Sequence, residues 1–220
     1  MADNMKRYGF RFYKGQFNAL PKGELFHVAD AYQGQSDAPA TNVDLNIGDP
    51  VKMVNDGSVA LATGADSVYG IIIAVHRIFE ASTGVTRPAD RVPGGTTGGG
   101  NIERSSLVEV VPAKGIIWEI DVSGTLPGTT EASYRALIHE NAEHAVPGDF
   151  SIAGRPKADP RLVLPSAVSA LLGWRIVGVS KTALNKDFSG LNVKLLVKVN
   201  DSSEAGSALA ATANTVVPGV

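Results

Sequence analysis

The chain has 220 residues, no cysteine, and 44% apolar against 19% charged residues, a globular composition that excludes disulfides, thiolate catalysis and Cys-ligated zinc. Its net charge of −2 gives no global field to draw nucleic acid or an anionic membrane. No stretch approaches the roughly 20 apolar residues of a membrane span, and the length suits one large β domain or two small ones.

The head is basic and aromatic. Residues 1–24 carry Lys6, Arg7, Arg11, Lys14 and Lys22 against Asp3 and Glu24, and the body behind them is acidic. No apolar segment of the secretory type follows, so maturation in a cytoplasm is expected. Within the head, Arg7-Tyr8-Gly9-Phe10-Arg11-Phe12-Tyr13-Lys14 alternates cations and rings. Three readings are open: a strand added to another chain's sheet edge, a first strand of the chain's own body, or a stacking platform for bases. The acidic remainder opposes the last, and the first is favoured.

Strands follow in sequence. Pro50–Val54 and Ser58–Ala62 flank Asn55-Asp56-Gly57, which is hairpin chemistry because glycine takes positive φ freely and Asn and Asp tolerate it. Tyr69–Phe79 is a β-branched run long enough for a buried strand. Residues 81–106 are a polar excursion rich in Gly and Pro, and a boundary there would give two β lobes. Strand signal returns at Leu107–Val111 and, after the Pro112–Gly115 turn, at Ile116–Val122. Thr130–His144 is the one helical candidate, with Thr130 as its cap and a thin apolar stripe. Gly173–Val179 and Leu191–Val199 close the body. In the last, Val193, Leu195, Val197 and Val199 alternate with outward Lys194 and Lys198, which would guard an edge.

The expected fold is therefore all-β, a sandwich or barrel body with extended N- and C-terminal arms and at most one short helix. Residues 1–35 form the N-terminal arm, 36–200 the body and 201–220 the C-terminal tail. The tail is small-residue and acidic, with Leu209, Val216 and Val217 to bury against a neighbour. Composition of this kind does not repay its own ordering entropy, which points the ends toward partners.

Catalytic patterns are missing. His139-Glu140-Asn141-Ala142-Glu143-His144 misses both zinc-helix spacings, and on a helix its histidines would lie about 140° apart. A solvated face or salt-bridged turn is its reading, and His27 and His76 read as structural. Gly173–Gly178 opens like a phosphate loop, but Val179 stands where the lysine belongs. The chain reads as no enzyme, with no cofactor or metal.

Several segments carry a resemblance: Ile47–Val54 through Asp56-Gly57 to Tyr69-Gly70-Ile71, then Trp118–Val122 with Thr129–Ala132, then Asp187–Asn200. Together, over residues 40–200, they are similar to the capsid cement, or decoration, proteins of tailed bacteriophages. The resemblance implies a β-rich structural protein of the virion. It would sit on the outer capsid surface after assembly in the host cytoplasm, a homo-oligomer (trimer favoured, dimer possible) that locks major capsid protein subunits together. A tail or baseplate adaptor, and a carbohydrate-binding module or enzyme on a β scaffold, are the alternatives. The candidate contact residues are Arg7, Tyr8, Phe10, Arg11, Phe12, Tyr13 and Lys14 in the head and Leu209, Val216 and Val217 in the tail; no membrane and no nucleic acid is expected among the partners.

Overall fold

The structure is a computed structural model that describes residues 9–15, 22–29, 45–55, 57–64, 66–80, 85–88, 91–92, 106–123, 126–145, 150–152, 155–157, 160–164, 173–182, 185, 187–189 and 193–200. In chain order the elements are β1 (Arg11–Gly15), β2 (Glu24–His27), β3 (Leu45–Asn46), β4 (Pro50–Met53), β5 (Val59–Leu61), β6 (Gly70–Glu80), β7 (Val85–Arg87), β8 (Arg91–Val92), β9 (Leu107–Pro112), β10 (Ile116–Ser123), α1 (Glu131–Arg135), β11 (Asn141–Ala145), β12 (Phe150–Ile152), β13 (Arg155–Lys157), β14 (Arg161–Val163), β15 (Trp174–Val179) and β16 (Lys194–Val199). The body is all-β, as its alternating runs require.

Two rings of strands make up the body. In the C-terminal ring, β10, β14, β11, β15 and β16 pair in that order, and β16 returns to β10, closing a barrel. β1 joins the same sheet along the first half of β10. Trp118 faces Phe12 on one side and Val197 on the other, so β1 and β16 occupy opposite edges of β10. The N-terminal ring runs β2, β9, β6, β4, β5. A parallel bridge between Val28 and Val59, with the Ala29 amide 2.8 Å from the Val59 carbonyl, closes it.

The hairpin chemistry of the sequence is realised. Val51, Lys52 and Met53 pair with Leu61, Ala60 and Val59, and Gly57 turns the chain at φ 82°.

The expected division at 81–106 is not where the rings part. The strands on either side of that segment, β6 and β9, are paired neighbours. The rings meet instead at the turn between β9 and β10, where Gly115 takes φ 72°. Nor does an arm extend to residue 35, because β1 and β2 are strands of the two sheets.

Each ring has its own apolar interior. Val28, Leu45, Val51, Val59, Ile72, Ile78, Val92, Val108 and Val110 fill the N-terminal one. The other holds Trp118, Ile120, Val122, Leu162, Trp174, Ile176, Leu195 and Val197, and extends to Ala62, Val68, Ile71, Val111 and Ala113 of the first ring. Ile71 and Ile72 thus serve different cores. A strand buried on both faces reads as an unbroken apolar run, which is why 70–75 lacks alternation.

The helix is far shorter than residues 130–144. Thr130 caps it, its Oγ1 accepting from the Ser133 amide at 3.4 Å, and Arg135 pairs with Glu131 one turn back. Only Tyr134 is buried, so little holds a longer helix against the strand it would displace. The chain reverses at His139, φ 81°, and the His139 amide bonds the Ile176 carbonyl before β11 begins.

Candidate partner-contact surface

The aromatic-basic head becomes β1, and its residues divide between the body and solvent. Gly9 sets the approach at φ 89°, where an added Cβ would lie 2.7 Å from the Gly48 carbonyl oxygen. The Phe10 amide then bonds that same oxygen at 2.8 Å. Phe10 is buried and stacks on Trp174, with ring centroids 4.2 Å apart.

Arg11 follows on the opposite side of the strand, where Glu119 and Asp121 alternate with the core residues of β10. Its Nη2 lies 3.1 Å from Glu119 and 3.7 Å from Asp121. Across β10, Lys194 Nζ lies 3.2 Å from Asp121. The segment after β15 folds over these charges. Ser180 Oγ donates to Glu119, and Asn185 donates to the Ser180 and Lys194 carbonyls while accepting from the Lys194 amide. Two cations and two carboxylates thus balance in a largely covered site, as burial demands.

Two expectations are corrected here. Phe10 is not an outward contact but a buried ring stacked in its own barrel, and Arg11, part-exposed, turns its guanidinium to an ion pair there. Lys194 does not face out; the polar face of β16 is covered by a segment that alternation along one strand cannot foresee.

The next three residues are exposed. Phe12 turns one edge toward buried Trp118, centroids 6.4 Å apart, and is itself exposed. Tyr13 stands at a register shift between Phe12 and Lys14, outside the Cα pairing, and Lys14 is exposed. β1 therefore offers two rings and a cation at one place. Arg7, Tyr8, Leu209, Val216 and Val217 lie outside the described residues.

Two of the histidines pair within the fold. His76 lies 3.0 Å from Glu109. His139 and His144 are separated by the turn into β11, so the stretch is not a helical face. His144 is buried rather than solvated, between the Ala62 carbonyl and the Trp174 indole. Sequence reading missed this pairing, and also Glu119, Asp121, Ser180 and Asn185. The W-E-I-D-V alternation marks the carboxylates as off the core, but nothing local says that they are covered.

Compared with protein-family models, with curated proteins and with solved structures, the chain matches none.

Proposed function

We propose that the chain is a structural subunit of a tailed-bacteriophage virion, a cement protein that docks on the outer capsid surface and ties major capsid protein subunits together. The build of β1 carries the reading: its root is fixed in a barrel while Phe12, Tyr13 and Lys14 stand in solvent. Contacts held rigidly before docking lose little entropy when they dock. Lys14 suits an acidic neighbour, and repetition over a lattice multiplies a modest contact at each subunit. The segment resemblance supplies the capsid and the trimeric association, with a dimer as the alternative. A carbohydrate-binding role gains no support from the tryptophans, since Trp118 and Trp174 are both buried.

The test is co-sedimentation with empty capsids of the phage that encodes the chain. Tyr13→Ser combined with Lys14→Glu should weaken binding about tenfold or more, equivalent to about 1.4 kcal/mol, with circular dichroism unchanged. Undiminished binding would remove β1 from the contact, and wild-type protein left in the supernatant would overturn the cement reading.

A further inference from the structure

One side chain joins the two rings by hydrogen bonds to each. His144 of β11 is 2% exposed. Its Nε2 lies 2.8 Å from the carbonyl oxygen of Ala62, just past β5 in the N-terminal ring. Its Nδ1 lies 3.1 Å from Nε1 of Trp174 on β15. An indole nitrogen can only donate and a carbonyl oxygen can only accept. The ring is therefore neutral, with its proton on Nε2, and Nδ1 accepts from the indole. Phe10 meets the imidazole edge-on, centroids 6.2 Å apart, and stacks on the indole. There is no seat for a second proton, because a protonated Nδ1 would point its hydrogen at the indole hydrogen.

We propose that His144 forms an acid-released tie to Trp174 at the seam between the two barrels: protonation of Nδ1 ejects the Trp174 indole, while Nε2–H keeps donating to the Ala62 carbonyl. The charged surroundings are sparse. Asp66, in the turn that follows Ala62, favours the charged ring and is itself held by Lys52 Nζ at 2.9 Å. Glu143 on β11 lies beside Gly64 of that turn. β14 sets Leu162 opposite His144 and Arg161 opposite Ala145, and β15 sets Trp174 opposite Ala142 and Arg175 opposite Asn141. Burial holds the imidazole below its usual value, and the Ala62 bond and Asp66 offset this only in part.

The sign follows from linkage. The folded chain binds this proton less tightly than the unfolded chain, so the tie is whole above the ordinary histidine value of about 6.5. Below it the tie's contribution fades, by up to about tenfold in the folding constant per pH unit, until the lowered folded value is passed.

The experiment is long-range proton–nitrogen NMR of the full chain, following the ring nitrogens of His144 and the indole N–H of Trp174 from about pH 8 to about pH 4. The expected result is the Nε2–H tautomer, a midpoint below about 6.5, and indole hydrogen exchange that accelerates in step with the titration. An Nδ1–H tautomer, a midpoint at or above the ordinary value, or indole exchange that ignores His144 would overturn the proposal. His144→Gln provides the second arm. Its amide can donate to Ala62 and accept from Trp174 but cannot titrate, so its melting temperature should fall less between about pH 6.5 and about pH 5 than that of the wild type. Equal slopes would also overturn the tie.

Discussion

Phe10 lies almost flat on Trp174, its plane 25° from that of the indole, and this one stack fastens the start of the chain to a strand near its end. Both rings are buried, at 3% and 0% exposure. Truncating a ring in such a place leaves a cavity and strips the contacts of its neighbour. Phe10→Ala should cost about 3–5 kcal/mol, and deleting residues 1–15 should cost at least as much, measured by urea unfolding. A deletion that leaves the unfolding midpoint unchanged would mean that β1 contributes nothing to the barrel.

The charge cluster under Arg11 makes a sharper prediction. Arg11→Met leaves Glu119 covered and without its guanidinium. The loss should be about 2–4 kcal/mol, tempered by partial exposure of the arginine. Arg11→Met with Glu119→Gln should recover much of it, since the stranded charge is then gone. A double variant as unstable as the sum of the two single changes would show that the pair is not coupled.

Two glycines separate backbone strain from crowding. Gly9 and Gly57 both have positive φ, at 89° and 82°, but a Cβ meets the Gly48 carbonyl oxygen at 2.7 Å in the first and open space in the second. Gly57→Ala should cost about 1–2 kcal/mol from the backbone alone. Gly9→Ala should cost clearly more, and thermal unfolding of the pair compares them directly.

Acid should act at Asp66 in a separate pH range from His144. Burial alone would raise this carboxyl, but the Thr63 amide, Lys52 and the Thr63 hydroxyl together bring it below its usual value. Its stabilising share is therefore complete above about pH 3.9 and is lost as the pH falls through the lowered folded value. Asp66→Asn should flatten that acid limb of the stability curve and leave the onset of the His144 limb in place, while that limb reaches to lower pH because the ring loses a favourable charge. A midpoint for Asp66 above the usual carboxylate value, by carbon NMR, would reverse the assignment.

Local pattern carried much of the fold. The alternation at Val193–Val199 identifies the core face of β16, the Gly57 turn identifies a hairpin, and Trp118 and Trp174 read as interior. What failed was long-range. Arg11 and Glu119 become neighbours only when β1 crosses to β10, so the head looks like a free arm until that pairing exists. Lys194 looks solvated for the same reason. Residues 139–144 look helical because Ala, Glu and His permit a helix, while Ile176 and Trp174, distant in sequence, draw them into a strand. The exposed part of the candidate surface, Phe12 to Lys14, was legible in composition, but its fixed root was not.

β6 and β9 are a party wall. Ile71 and Val111 line one interior, Ile72 and Val110 the other. A chain cut in the turn between β9 and β10 would lay one side of that wall bare, so neither half should survive as a soluble fragment. The same wall makes the two interiors melt together: the molecule has two cores but should show a single unfolding transition, and damage done at either one is felt by the whole.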